Sequence, residues 1–455
     1  MRRKVPGQFA YQTVYHYLQS LIGEAERSGQ QRLPSLRCLS RRLGVSLVTV
    51  QSAYGLLEHE GRVISVPKSG YFVRAPTSAG HPAESLTTPA PAAVPAHALL
   101  ERSLLAHERR VSRQRERAPS AWAQTGSARL RGALAERYTR SSQQYWRAED
   151  VHLGPDVQSL LETLLGALTL HGATALVYSP CCWRLLRALQ RAGMRVLDVP
   201  TQRCGNPDVE ALAELLDAGS VRMLVVPSCL GMPSGRLMSQ QVQQQIAHLL
   251  ARHPVWLLEN DLDSEHCFNT PPRSRLRDRV DPRWLLVLGS LEAVVGAEAP
   301  YAYVLSQHAA LIEAIDQRGF QLAPLRLQAL ARMFARGEID VHLGQLRVDL
   351  HSRMAVFARQ LQAQLGDQLA FDMPEGGRTL WVRLRHPVPS DRVVSALSGS
   401  ALLAVAGARF GPPGRYQRYL ALDWLGDQPE RLREALDTLG QALELRCGRP
   451  VARER

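Results

Sequence analysis

Near the front of the chain, apolar residues recur at helical spacing. Tyr11, Val14, Tyr15, Leu18, Leu21 and Ile22 share one face and predict an amphipathic helix. The run Leu33-Pro34-Ser35-Leu36-Arg37-Cys38-Leu39-Ser40 predicts a second helix, with Pro34 and Ser35 as start signals and Gly44 as the break. Ser46 predicts the cap of a third, whose Val50, Ala53, Tyr54 and Leu57 line one face until about Gly61. The spacing then becomes that of strands, Val63–Val66 and Tyr71–Val73, around a Pro67-Lys68-Ser69-Gly70 turn. Three helices and a hairpin within residues 1–75 predict a winged helix-turn-helix.

Residues 76–98 are rich in Pro, Ala, Ser and Thr and predict a linker, partly extended by its prolines. A basic amphipathic stretch follows, from about Leu99 to Arg117. From about Gly126, short apolar runs alternate with helical segments of Leu, Ala and Arg. The runs are Ala175–Tyr178, Arg195–Val199, Met223–Pro227, Val255–Leu258 and Leu285–Leu288. Such alternation predicts crossover units on a mostly parallel sheet, an α/β body over residues 99–455. From about Arg353 to Gly440 strands and helices mix, which predicts a small C-terminal α+β subdomain at about residues 350–445. No internal repeat is visible.

At 455 residues the chain exceeds what one core usually organises, in keeping with separate units. No apolar run is long enough to span a bilayer, and the basic start MRRKVPGQFAYQ lacks the apolar stretch of a secretory signal. Seven scattered cysteines, an odd number, predict a reducing compartment and a cytoplasmic location without membrane partners. The net charge of +13 sits at the front. Residues 1–75 carry 11 Lys/Arg against 4 Asp/Glu, residues 101–147 repeat that ratio, and residues 148–455 are neutral in sum. A polyanion partner at the front is the expectation, against a solvated basic surface with no partner.

A helix-turn-helix reads DNA by laying its second helix in the major groove, while cations and hydroxyls on phosphates fix the register. The reading helix would begin at Ser46 and expose Leu47, Val48, Thr49 and Gln51. Gln51 can pair with adenine, and Thr49 can bond phosphate or a base edge. Arg37 is placed to meet a phosphate, and Lys68, Ser69 and Gly70 form a wing tip suited to the minor groove. The stretch LPSLRCLSRRLGVSLVTVQSAYGLLEHEGRV followed by KSGYFV resembles the GntR family. That resemblance implies DNA contacts by Ser35, Arg37, Ser46, Thr49, Gln51 and Lys68 to Gly70. Leu47 departs from it, standing where the family often has arginine.

The body resembles fold-type I aminotransferases, specifically the MocR-type regulators that join a GntR module to such a domain. The resemblance is carried by Leu130-Arg131-Gly132-Ala133-Leu134 with Tyr138, Ser179-Pro180, VPSCLGMPSGRLMS, ENDLDSEH, Leu288-Gly289-Ser290-Leu291, MPEGGRTLWVRL and RYLALDW. It implies a pyridoxal-phosphate-dependent transferase fold, a homodimer and a two-half-site operator on double-stranded DNA.

Pyridoxal phosphate chemistry needs an aldimine lysine, a carboxylate at the ring nitrogen, a stacking aromatic ring and donors for the phosphate. On the family's pattern these positions carry other residues. Asn260 stands at the ring-nitrogen aspartate, Leu262 at the tyrosine, Ala293 at the lysine and Pro300 at the phosphate-binding arginine. Cys182 stands at the stacking aromatic, beside Trp183, and Ala421 at the substrate-carboxylate arginine. The phosphate turn reads Gly154-Pro155-Asp156-Val157, where Pro155 lacks an amide donor and Asp156 repels phosphate. Lysine occurs only at positions 4 and 68, so no alignment places an aldimine lysine in the body. The implied protein is a regulator and not an enzyme, without covalent pyridoxal phosphate.

Three alternatives stay open: a regulator or sensor holding the cofactor or a related molecule non-covalently, a purely structural body, and a thiol-based redox or metal response. Apolar Leu262, Ala293 and Ala421 imply an enlarged pocket for a neutral effector, or for none. The thiol reading needs Cys182, Cys229 and Cys267 to meet in the former cofactor pocket; buried, inert thiols are the plainer expectation. Glu259, Asp261, Asp263 and Glu265 form an acidic run for which a solvated or inter-subunit face is expected over a cation site.

Overall fold

The computed structural model describes residues 14, 17, 18, 21, 33–59, 63–66, 70–73, 95–117, 125–199, 206–412, 414–426 and 428–444. The chain divides into two compact units, Met1–Pro89 and Ala90–Arg455.

In the front unit, Ser35 is extended and its side-chain oxygen accepts the Cys38 N–H at 3.3 Å, which starts the helix Leu36–Leu43. Gly44 ends it in the left-handed region at φ 64°, where glycine carries no steric penalty. The next helix, Leu47–His59, buries the predicted stripe of Val50, Ala53, Tyr54 and Leu57 against Val14, Leu18 and Leu39. Tyr54 stacks on Tyr71 and its hydroxyl donates to the Pro34 carbonyl at 2.6 Å, so its polar end is satisfied inside the core. Strands β1 (Val63–Val66) and β2 (Gly70–Val73) pair antiparallel, with Val66 opposite Gly70. Lys68 and Ser69 of the expected turn, and Tyr11, Tyr15 and Ile22 of the expected first helix, lie outside the described residues.

The second unit holds a seven-stranded sheet and a four-stranded one. In chain order the strands are β3 (Val151–Gly154), β4 (Thr174–Tyr178), β5 (Arg195–Val199), β6 (Val221–Pro227), β7 (Leu230–Gly231), β8 (Arg236–Leu237), β9 (Trp256–Asn260), β10 (Leu285–Ser290), β11 (Ala302–Leu305), β12 (Leu369–Phe371), β13 (Thr379–Leu384), β14 (Leu402–Ala406) and β15 (Tyr419–Trp424). The large sheet runs β3-β11-β10-β9-β6-β4-β5, parallel except for β11, which is antiparallel to both neighbours. Both faces are covered. Leu224 and Val226 of β6 join a core built with Thr125–Ser141 and Pro324–Ala335, while Met223 and Val225 join one built with Val157–Ala167 and Trp183–Arg191. A strand buried on both sides is apolar at every position, which is why it was legible as a continuous run. The antiparallel sheet β12-β13-β15-β14 packs on the end of the long helix Glu338–Leu365 and on Pro429–Glu444.

The sequence expectation missed β3 and β11, each only four residues long. The helix expected from about Leu99 begins at Pro95, inside the span 76–98 expected to be linker. A proline at the first helical position loses an N–H that has no helical partner anyway, so composition misled there. Among the described residues, no helix is long and apolar enough to cross a membrane.

Candidate functional site

The front unit presents polar residues at the starts of the helices Leu36–Leu43 and Leu47–His59. Ser35, Arg37, Ser46 and Gln51 are exposed. The Ser46 hydroxyl accepts the Thr49 N–H at 3.1 Å and shares a second hydrogen bond with the Thr49 hydroxyl at 2.7 Å. Thr49, expected to reach phosphate or base, thus turns its oxygen back onto the helix cap. Leu47 and Val48 stand out instead, 43% and 70% exposed. The Gly70 backbone lies at the start of β2; the rest of the wing tip, Lys68 and Ser69, is outside the described residues.

In the second unit, four positions expected at a cofactor gather at the carboxyl ends of parallel strands, where open α/β sheets place ligands. Asp156 follows β3, Cys182 follows β4, Asn260 ends β9, and Ala293 lies in the short helix Glu292–Val295 after β10. Their chemistry is spent locally. The Asp156 carboxylate caps Val157–Ala167, accepting the Ser159 N–H at 2.8 Å and the Ser159 hydroxyl at 2.7 Å. A carboxylate thus sits at the helix start where a phosphate would bind. The Asn260 side chain accepts the Leu262 N–H at 3.2 Å, and Leu262 is buried in the core beside Cys181. Cys182 packs on that same cluster, and burial pushes its thiol up. Glu292, next to Ala293, pairs with Arg184 at 3.6 Å. Pro300 is exposed, and Ala421 is buried in β15 opposite Trp381 and Val405. The residues present do not fit pyridoxal phosphate: the anion position is filled by a carboxylate, and an apolar side chain and an amide replace its polar partners. Leu262 is packed into a core, whereas Ala421, though buried, lies on the face of β15 opposite to Leu420 and Leu422, which join the subdomain core.

The acidic run proves to be something sequence spacing did not reveal. Its expected solvated face is replaced by a buried ion network, because its partners lie 14 and 16 residues farther along. Asp261 takes Arg275 at 2.8 Å and Arg277 at 3.2 Å, and Arg277 lies 3.2 Å from the fully buried Glu259. Ser228 accepts from both arginines, at 2.8 and 2.7 Å, and the Tyr138 hydroxyl donates to Asp261 at 2.5 Å. Burial raises the Asp261 carboxyl, yet Arg277 and Arg275 overrule it and hold it below the usual carboxylate range. Glu259, with burial dominant, is pushed up. Glu265 lies farther out and binds Arg137 at 2.6 Å and Arg347 at 2.7 Å. Two arginines within three residues of each other, Arg275 and Arg277, were the available signal.

Cys229 and Cys267 are buried, as the plainer expectation had it, and Cys182 is half-buried. Cys229 and Cys267 lie with their sulfurs 3.7 Å apart, while Cys182 belongs to the other cluster, so the trio that the thiol alternative needs does not assemble. The hydrogen bond between them draws Cys229 down and pushes Cys267 up. Among the described residues, no three His, Cys, Asp or Glu side chains come together to hold a metal ion. Cys267 faces Gly376 across a strap from the C-terminal subdomain. In that strap the Phe268 N–H donates to the Glu375 carbonyl at 3.0 Å, the Gly377 N–H to the His266 carbonyl at 2.9 Å, and the Glu375 N–H to the Gly235 carbonyl at 2.7 Å. A Cβ on Gly376 would lie 2.8 Å from the Cys267 Cα, so the backbones approach too closely for any other residue.

Residues 10–73 match the model of the bacterial regulatory proteins of the gntR family, and residues 97–411 match that of aminotransferase class I and II. The HTH-type transcriptional regulator YjiR of Escherichia coli (strain K12) is 26% identical over 95% of this chain and 99% of its own length. The probable rhizopine catabolism regulatory protein MocR of Rhizobium meliloti is 24% identical over 95% of this chain and 93% of its own. Among solved structures, the alpha-aminoadipate aminotransferase LysN of Thermus thermophilus superposes with a TM-score of 0.66, covering 76% of this chain and 88% of that one at 19% identity.

Proposed function

The chain belongs to the class I and II aminotransferase family, carries a gntR-family module ahead of it and is a DNA-binding transcriptional regulator; from that premise we propose that its body is a silent enzyme. It performs no transamination, holds no covalent pyridoxal phosphate, and serves to dimerise the protein on a two-half-site operator. One observation carries this reading: residues 69–455 contain no lysine, hence no side-chain amine to capture an aldehyde. The Asp156 cap supports it by placing a negative charge where the cofactor phosphate would go. The test is to incubate purified protein with pyridoxal phosphate, reduce with borohydride, dialyse and record visible absorbance. No retained band and no adduct in the body is the expected result. A band that survives dialysis without an adduct would replace this reading by non-covalent holding. Whether the body senses an effector is read by thermal shift, since a ligand of the folded state alone raises stability. Indifference to a metabolite library would leave a purely structural body.

A second reading is favoured by the 3.7 Å approach of Cys229 and Cys267. A hydroperoxide would accept two electrons and two protons from the pair, leaving a disulfide, an alcohol and water. The strap over Cys267 would carry that change to the subdomain boundary. Non-reducing peptide maps after peroxide treatment should show the Cys229–Cys267 cross-link together with altered operator affinity. An oxidised pair with unaltered affinity removes the regulatory role.

A further inference from the structure

The first turn of Leu47–His59 departs from what a helix that reads phosphates and base edges by charge displays. Its buried stripe is Val50, Ala53, Tyr54 and Leu57, each fully buried. At 3.6 residues per turn, Val48 lies roughly opposite that stripe, at the centre of the outward face, with Gln51 beside it and Leu47, the first residue of the helix, at the edge of that face. Two apolar side chains, 43% and 70% exposed, therefore lead the outward face of the helix that enters the groove. The hydroxyls nearby are not competing readers, because Ser46 and Thr49 are bonded to each other. No Lys or Arg occurs from Leu47 to His59. Residues 1–75 nevertheless carry 11 basic side chains against 4 acidic ones, so a polyanion is the partner that complements the unit as a whole.

On the floor of the major groove, the one apolar group a base pair offers is the C5 methyl of thymine. We propose that Leu47 and Val48 read thymine methyl groups, so that each operator half-site sets one or two thymines under the start of this helix, next to the adenine taken by Gln51. This rests on the DNA-binding reading and adds what the helix recognises. The basic side chains, Arg37 among them, then supply affinity without sequence, and the apolar pair supplies sequence without charge.

The experiment begins with selection of bound duplexes from a random library by the full-length protein. Each thymine of the selected operator is then replaced in turn by deoxyuridine, which removes one methyl group and preserves every hydrogen bond. Removal of a read methyl should weaken binding about fourfold, the equivalent of one buried methylene. The effect should be confined to one or two positions per half-site and should vanish in the double variant Leu47→Ala/Val48→Ala. Both residues are exposed, and equal thermal melting of variant and parent shows that the fold is kept. Two outcomes overturn the proposal alone: an operator indifferent to every deoxyuridine, or a deoxyuridine effect of the same size in parent and variant. Both would leave Leu47 and Val48 to pack against another protein surface. Failure to select any duplex would remove the DNA-binding reading and this proposal with it.

Discussion

The helix starts of the two units solve one problem in opposite ways. At Ser35 and Ser46 the unpaired amides are met by neutral hydroxyls on an exposed surface, and an approaching phosphate meets no like charge. At Asp156 the same amides are met by a carboxylate bonded also to Ser159, which puts a negative charge where an anion would otherwise approach. The difference extends beyond the caps. The front unit displays Arg37 and Gln51, whereas the body draws Glu259, Asp261, Arg275 and Arg277 inward as paired charges, with the Glu259 oxygens in an ion pair but no hydrogen bond among the described residues. Displayed polarity serves a partner; enclosed polarity serves the fold.

The strongest test of that contrast is Asp261→Asn. Breaking a buried pair by removing one partner costs about 3–5 kcal/mol, read by urea unfolding. Because the folded carboxyl is held below its usual range, its stabilisation is complete above the unfolded value of about 4. It drains away as pH falls toward the folded value. The unfolding midpoint of the parent should therefore drop more steeply with acid than that of Asp261→Asn. Equal slopes would place the network's role elsewhere. On the displayed side, Gln51→Ala should cost about 1–3 kcal/mol of discrimination at a single base position, measured on a panel of operator variants. Arg37→Ala should weaken all duplexes alike and lower the slope of log affinity against log salt by about 1. The smallest expected effect is at Asp156. Asp156→Ala should cost about 1 kcal/mol of stability, whereas Asp156→Ser, which keeps a capping oxygen, should stay within a few tenths. If Asp156→Ser loses as much as Asp156→Ala, the carboxylate does more than cap.

Much of this was readable from residue types alone. The stripe Val50, Ala53, Tyr54 and Leu57, the cap at Ser35 and the left-handed Gly44 were local signals, and local signals survive folding. Strands β4, β6, β9 and β10, largely buried, announced themselves as apolar runs, whereas β5 at the sheet edge carries Arg195 and Asp198 and showed itself through Val196, Leu197 and Val199. Strand β11 hid inside a stretch read for its missing lysine, and β3 is four residues before a proline. The Asp261 network left only the closely spaced Arg275 and Arg277 as a sign of itself: its bonds join them to Tyr138 and Ser228, and no periodicity links residues so far apart. The three-thiol cluster failed on the same ground, since sharing an inherited pocket does not make side chains touch. Exposure of Val48 and the turning back of Thr49 are facts of packing and rotamer, which spacing does not encode.

The Gly376 strap has a mechanical consequence. Enzymes that bury their substrate under a moving subdomain need a joint that opens and shuts on every turnover. Here amides at residues 268, 375 and 377 are all engaged, and a backbone approach tolerated only by glycine brings the two walls together. Deuterium uptake at those amides should track global unfolding and not a faster local breathing. Uptake there that outpaces global unfolding would give the two walls a joint that opens on its own.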